Sequence, residues 1–172
     1  DGKYYLFAAR WSKQRPSFSG YVFSSEVVCA AADEMTGPFK YQYTVLPDRG
    51  EEYWDGRMTH NPTIHKFGDT YYLFYIGATY PGERPSPEEL KLAHNPKQEL
   101  AYSTVRIGLA TAKSPLGPWK RADTPIFDVN PKGWDSNVVT NPAACFLSDG
   151  TVMLYYRSNT PQGCKLGVAK GN

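Results

Sequence analysis

The chain has 172 residues, of which 41% are hydrophobic and 15% aromatic, and its formal net charge is +2. This length is enough for one sizeable hydrophobic core. The small charge offers no basic surface for nucleic acid, and no apolar run approaches the roughly 20 residues that a membrane-spanning helix needs. We therefore expect neither a nucleic-acid partner nor a membrane partner, and the sequence shows no motif that requires a cofactor.

Short runs rich in aromatic and β-branched residues predict strands throughout the chain. A Gly-Asp-Thr turn at residues 68–70 joins two of them into a hairpin, and a polar loop occupies residues 11–25. The predicted strands lie at 3–10, 26–32, 39–46, 62–67, 71–76 and 106–113, with another beginning at Trp119 and more between Val138 and Lys170.

A long insertion interrupts this pattern from about residue 79 to residue 104. It contains Ser86-Pro87-Glu88-Glu89, a capping box with proline at the first helical position. We expect a short helix there that ends before Asn95-Pro96, and we expect any helix in the chain to be confined to residues 86–95.

The three cysteines, Cys29, Cys145 and Cys164, do not have the spacing of a metal site. Their odd number argues against a disulfide framework. We expect them to be small buried thiols.

Two long segments repeat at a displacement of 80 residues. The Trp-Asp and Asn-Pro pairs within residues 54–62 recur within 134–142, and the segment 27–40 matches 107–120. Self-similarity at a fixed long period is typical of repeat architectures. About four strands per period indicate an all-β fold, a β-propeller of four-stranded antiparallel blades.

We predict a single partial propeller over residues 1–172, about two and a half blades of an expected five. Blade one has its strands in 3–46, blade two in 59–127 and blade three in 138–170. The expected numbers of strands are three, four and three. Because an inner strand of blade one and an outer strand of blade three are missing, we expect a fragment, or a chain completed by the remainder of the propeller or by another chain at its exposed blade edges. The isolated chain is expected to be unstable, self-associating or held by a partner.

The repeated pattern resembles a known group of proteins. It is similar to the five-bladed propeller of family-43 glycoside hydrolases. The features that carry the similarity are, in chain order, a polar residue and proline, a short strand, a Gly/Asp turn, YYLFY and IGLATAKSPLGPW. The pattern also resembles the sucrose- and fructan-cleaving group and the neoagarobiose hydrolases of family 117. The resemblance implies a glycosidase that acts on a plant, algal or microbial oligo- or polysaccharide in a funnel at the propeller axis. It favours a secreted or periplasmic location and leaves room for a structural cation in the axial channel.

The resemblance also implies an aspartate base, a second aspartate and a glutamate acid at the starts of three inner strands. This chain departs from that pattern, since Asn-Pro pairs at 61–62 and 141–142 stand where Asp-Pro is expected. His60 and Thr140 stand where the glutamate is expected. The resemblance still carries over the position of His60, which corresponds to that of the general acid. The related neoagarobiose hydrolases imply a histidine at this position.

We interpret Asp55, His60 and Asp135 as catalytic candidates that line one pocket at the axis. A histidine supplies a proton if a carboxylate keeps it charged near neutral pH, and Asp55 or Asp135 would be that partner or the base itself. Arginines would bind hydroxyls or an acidic sugar, tryptophans would stack on sugar rings, and amides would reach the ligand. The candidates for substrate binding are Arg10, Trp11, Trp54, Arg57, Asn61, Trp134, Asn137, Asn141 and Arg157.

Each candidate also has a structural interpretation. Asp55 and Asp135 would equally cap turns or bind backbone amides, repeated tryptophans fit packing between blades, and His60 would be a hydrogen-bonded structural residue. Two alternative functions follow from these interpretations. One is a non-catalytic carbohydrate-binding propeller that has lost its carboxylates, and the other is a structural or partner-binding propeller fragment.

Overall fold

The computed structural model of the chain describes residues 2–11, 20–92 and 95–171. These residues form an all-β protein with a few short helices, none of which is long and apolar enough to span a membrane. The helices are α1 (Tyr21–Ser24), a 3-10 helix (Glu89–Lys91) and α2 (Pro96–Ser103). The strands are β1 (Tyr4–Arg10), β2 (Glu26–Ala32), β3 (Lys40–Leu46), β4 (Met58–Phe67), β5 (Thr70–Ala78), β6 (Arg106–Ala112), β7 (Lys120–Arg121), β8 (Thr140–Phe146), β9 (Val152–Thr160) and β10 (Gly163–Gly171).

The strands form three antiparallel sheets in chain order. The first sheet is β1-β2-β3, the second is β4-β5-β6-β7 and the third is β8-β9-β10. Within each sheet every strand pairs with the strand next to it in sequence. These are the three, four and three strands that the sequence predicts. Within the described residues the sheets do not close into a ring.

One apolar layer lies between the first and second sheets. Leu73 and Tyr75 of β5 and Ala110 of β6 pack there with Val27 and Leu46 of the first sheet, and all five are buried. Successive side chains of a strand point to opposite faces, so these two residues of β5 share one side of the second sheet. Burying each large apolar side chain contributes roughly 1.5–3 kcal/mol.

A second layer joins the second and third sheets. Phe74 and Ile76 of β5 and Ile107 of β6 pack there with Leu154 and Tyr156 of β9. Phe74 and Ile76 alternate along β5 with Leu73 and Tyr75 of the first layer, so β5 is buried on both faces. This explains why its sequence, YYLFYI, is a continuous apolar and aromatic run.

The helices extend beyond the region that the sequence predicts. The capping box forms, since the Ser86 backbone N–H donates to Glu89 Oε2 at 2.7 Å and the Glu89 backbone N–H donates to Ser86 Oγ at 3.2 Å, but only the 3-10 helix follows it. The longer helix α2 begins at Pro96, where we expected a helix to have ended. This corrects the expectation: the Asn95 side chain accepts from two backbone N–H groups of the first turn at 3.0 and 3.3 Å, and proline suits the first position of a helix.

The third sheet has an apolar face that no other sheet covers in the described structure. Tyr155 of β9 is 53% exposed, and Leu166 and Val168 of β10 are 83% and 52% exposed. Cys145 lies on the same face and is exposed, because no described residue packs over it. Cys164 on β10 is also exposed, so the prediction of three buried thiols is correct only for Cys29.

Candidate functional site

A cleft of about 520 Å³ opens where the starts of β4 and β8 approach the end of β9 and the helices α1 and α2. Its volume is in the range of small-molecule sites. Most of its lining side chains are polar or aromatic: Trp11, Tyr21, Val22, His60, Asn61, Gln98, Tyr102, Asn141, Arg157 and Asn159. Five of the twelve predicted site residues are among them.

Asn61 and Asn141 occupy equivalent positions near the starts of β4 and β8. Their φ angles are 48° and 52°, in the left-handed region that asparagine adopts more readily than most residues. Both strands change pairing register at this point, as a β-bulge does when it redirects a side chain. This shared local geometry brings both amides to the cleft.

His60 forms part of the cleft wall among aromatic rings. Its Nδ1 lies 2.8 Å from Ser25 Oγ, its ring stacks on Tyr21 at 4.5 Å, and the Trp11 ring lies 5.4 Å away. Burial lowers the pKa of His60 to about 4. The imidazole is therefore neutral near pH 7 and offers one N–H donor and one acceptor nitrogen.

Asp55 lies in the protein interior and is not part of the cleft lining. It is fully buried, and its carboxylate accepts hydrogen bonds from Arg49 Nε at 2.7 Å, Tyr75 Oη at 2.7 Å and Arg121 Nη1 at 3.4 Å. Burial and the neighbouring Asp55 carboxylate raise the pKa of Tyr75. The described partners therefore hold this carboxylate between the first and second sheets.

Asp135 has the equivalent position before β8 and is 6% exposed. It accepts a hydrogen bond from Tyr156 Oη at 2.7 Å, and burial together with this bond raises the pKa of Tyr156 to about 12. We expected Asp55, His60 and Asp135 to line one pocket, and this is corrected, because only His60 reaches the cleft. Both aspartates point instead into the layers between sheets, where buried tyrosines bind them.

Arg10 and Arg57 lie outside the cleft and have partners. Arg10 Nη2 is 3.5 Å from a carboxylate oxygen of Glu26 and donates to Thr44 Oγ1 at 3.1 Å, both in the first sheet. Arg57 donates to a carboxylate oxygen of Glu51 at 3.1 Å. The structure thus places both arginines in contacts with neighbouring side chains, away from the predicted sugar site.

Trp54 and Trp134 also lie away from the cleft. Each stacks on a buried tyrosine, with ring centroids 6.0 Å and 5.7 Å apart. Gly77 and Gly108 make room for Trp54, because a Cβ at either position would come within 2.8 Å or 2.6 Å of its ring. The two tryptophans therefore pack in the protein, as their structural interpretation predicts. Asn137 is exposed and is not part of the cleft lining.

Arg157 of β9 is the only arginine or lysine in the described lining of the cleft, which contains no aspartate or glutamate. Its Nε is buried without a hydrogen-bond partner. Its guanidinium is close enough to Tyr21 to oppose the rise that burial causes in the pKa of that hydroxyl. With His60 neutral, the described part of the cleft carries a positive charge.

Several lining residues were missed by the sequence analysis. Tyr21 comes from α1, and Gln98 and Tyr102 come from α2. Asn159 Nδ2 donates to Tyr102 Oη at 2.6 Å, which joins the end of β9 to α2. Asn95-Pro96 is a signal for the start of α2, but the position of this helix beside the inner strands depends on tertiary packing.

In the part of the chain that the structure describes, no three His, Cys, Asp or Glu side chains lie together in a way that would hold a metal ion. The structural cation expected in the axial channel stays a prediction.

No protein-family model and no curated protein matches this sequence. Solved structures do match. A family 117 glycoside hydrolase from the marine bacterium Zobellia galactanivorans has a TM-score of 0.72 and 19% identity, over 99% of this chain and 49% of that one. A family 43 β-xylosidase/α-arabinofuranosidase from a compost microbial metagenome, in complex with xylotriose, has a TM-score of 0.56 and 20% identity, over 92% and 40%. A family 43 enzyme from Xanthomonas citri has a TM-score of 0.57 and 16% identity, over 95% and 38%.

At these identities the likeness shows the fold, which is that of propeller glycoside hydrolases. The chain spans about half the length of the first of these proteins and about two fifths of the other two. Because one fold can support different functions, the site and its chemistry have to support any statement about activity.

Proposed function

We propose that the chain is part of a glycoside hydrolase that binds an oligo- or polysaccharide in the cleft around His60 and Arg157. The observation that carries the proposal is the cleft itself, which gathers aromatic, amide, imidazole and guanidinium groups at the starts of β4 and β8. In this proposal residues 1–172 are one partial propeller, and the substrate comes from plant, algal or microbial material.

The cleft residues have distinct roles in binding. Trp11 is 40% exposed and offers an apolar face to a sugar ring. Asn61 and Asn141 present amides that donate to and accept from sugar hydroxyls. Gln98 of α2 and Asn159 of β9 add further amides to the lining. This combination suits a ligand with many hydroxyl groups.

Hydrolysis requires an acid for the leaving oxygen and a carboxylate that activates water or attacks directly. His60 is the candidate for proton transfer to the leaving oxygen, as its position predicts. A neutral imidazole is a weak acid, so a carboxylate beside the bound sugar would have to raise its pKa. Because partners in the interior hold Asp55 and Asp135, this carboxylate comes from another strand start of the complete funnel. The two aspartates then act as positioning residues that fix the segments before β4 and β8.

Turnover by the complete protein, in which the full funnel is present, tests this proposal. Incubation with plant, algal and microbial oligosaccharides should release reducing sugar, and His60→Ala should lower turnover roughly a hundredfold or more. His65→Ala removes the same side chain from the same strand outside the cleft and should retain turnover. Unchanged turnover by a folded His60→Ala variant would remove His60 from the mechanism.

A non-catalytic carbohydrate-binding propeller is the second candidate. The absence of Asp and Glu from the described lining favours it, and so does the neutral state of His60. It predicts that an oligosaccharide binds in the cleft and is recovered intact after long incubation. Release of product that depends on His60 would exclude this candidate.

A further inference from the structure

We infer that the sugar recognised by the cleft carries a negative charge, a carboxylate or a sulfate ester, and that Arg157 binds this group. The inference rests on the proposed function and names the substrate class of the same site.

Arg157 differs from the other described arginines in its partners. All the others form ion pairs with Asp or Glu: Arg10, Arg49, Arg57, Arg84, Arg106 and Arg121. Arg157 forms none within the described residues, and its Nε, like that of Arg57, is buried without an acceptor. A partly buried charge without a partner is costly to the folded protein. A ligand that binds the guanidinium from the cleft would supply the missing ion-pair partner and offset this cost.

The repeat shows that packing does not require an arginine here. Tyr75 of β5 and Tyr156 of β9 are equivalent, since each donates to the aspartate of its own repeat at 2.7 Å. The next residue is Ile76 in β5 and Arg157 in β9. Ile76 is 1% exposed and belongs to the core between the second and third sheets. The third repeat therefore has a charged side chain at a position where the second repeat has an apolar one, and that charge faces the cleft.

The surroundings of Arg157 favour an anion. The described lining offers the amides of Asn61, Gln98, Asn141 and Asn159 and contains no carboxylate that would repel one. A guanidinium has five donors and no acceptor, and its planar fork matches a carboxylate or a sulfate with two parallel hydrogen bonds. A neutral hydroxyl has a single oxygen atom, so it accepts only one of these two parallel bonds, and it carries no charge to attract the guanidinium. The geometry of the guanidinium therefore favours an acidic sugar over a neutral one.

Calorimetric titration of the purified protein with two matched pairs of ligands tests this inference. The first pair is trigalacturonic acid and its methyl ester, and the second is a sulfated galactobiose and its unsulfated form. In at least one pair the charged ligand should bind about tenfold more tightly than the neutral one, and added salt should reduce the difference. A preference in the first pair identifies a carboxylate, and a preference in the second identifies a sulfate ester.

Two variants and a control assign the preference to Arg157. Arg157→Gln should remove it, and Arg157→Lys, which keeps the charge and loses the fork, should retain part of it. Lys165→Gln removes one positive charge from the adjacent strand β10 outside the cleft and should leave the preference unchanged. Circular dichroism confirms that each variant is folded.

The outcomes separate this inference from the proposed function. Equal binding within both pairs, or a charge preference that persists in Arg157→Gln, overturns the inference and leaves a sugar-binding cleft. A lack of binding by all four ligands overturns the inference together with the sugar-binding cleft of the proposed function.

Discussion

Asp55 and Asp135 occupy equivalent places in the repeat, and the structure surrounds them differently. Asp55 is bound by Arg49, Arg121 and Tyr75. Among described side chains, Tyr156 is the partner of Asp135. Removing one member of a buried ion pair leaves the other charge buried and unpaired, which is more costly than losing a single hydrogen bond.

Stability measurements should therefore rank the two aspartates. We expect Asp55→Asn to lower the free energy of unfolding by roughly 3 kcal/mol and Asp135→Asn by roughly 1 kcal/mol. Urea unfolding followed by tryptophan fluorescence measures both variants. Stability equal to that of the original protein combined with lost turnover would instead return the two aspartates to a catalytic role.

His60 should make stability depend on pH. Its pKa is about 4 in the folded protein against an ordinary value of 6.5, so between these values the unfolded chain binds a proton that the folded protein does not. Stability should therefore rise with pH from about 4 to about 6.5. The rise should be roughly 1–2 kcal/mol, because partial exposure to solvent reduces the full effect of the shift.

The His60→Gln variant provides the control, since it should lose this part of the pH dependence. Unfolding midpoints in urea at several pH values measure the slope for both proteins. A proton NMR titration of the imidazole should give a midpoint near 4. A midpoint near the ordinary value would show that the ring is solvated.

The strands are predictable from sequence because their signals are local. The turn at residues 68–70 and the run of β5 define a hairpin by themselves, and the repeat then assigns the equivalent strands of the third sheet. The helix α2 is equally local, but the Asn95-Pro96 signal fits either a helix end or a helix start. The structure shows the start, because the Asn95 side chain caps the first turn.

The site is less predictable because side-chain direction depends on distant residues. Position in the repeat correctly brings His60, Asn61 and Asn141 to one cleft. It does not determine whether Asp55 points into the funnel or between the sheets, since Tyr75 of the next strand and Arg121 of β7 decide this. Lining residues from α1 and α2 likewise depend on tertiary packing that no periodicity encodes.

At the scale of the molecule, both outer faces of the sheet stack expose apolar side chains. Each internal layer packs one face of a sheet against the opposite face of the next sheet. The third sheet exposes Tyr155, Leu166 and Val168, and the first sheet exposes Tyr4 and Leu6, which are 45% and 46% accessible, on its far side. We therefore expect a second copy of the chain to pack head to tail, a heterologous contact of the kind that forms rings or filaments.

Self-association of the isolated chain tests this arrangement. We expect sedimentation velocity to show species larger than one chain that grow with concentration, because the apolar face is large and uncovered. Leu166→Lys combined with Val168→Lys should shift the distribution to single chains. Leu92→Lys alters another exposed leucine, on the insertion, and should have no effect. A monomer at all concentrations would contradict the contact.

The sequential order of the strands affects how the molecule folds. Because each strand pairs with its neighbour in sequence, each sheet is formed by one continuous segment of the chain. The insertion between β5 and β6 adds only a modest entropic cost, which grows slowly with loop length. The sheets are thus able to form separately and dock afterwards. The cleft takes residues from the second and third sheets and both α-helices, so it is completed in the last step. A ligand bound in the cleft would therefore indicate that the chain is fully assembled.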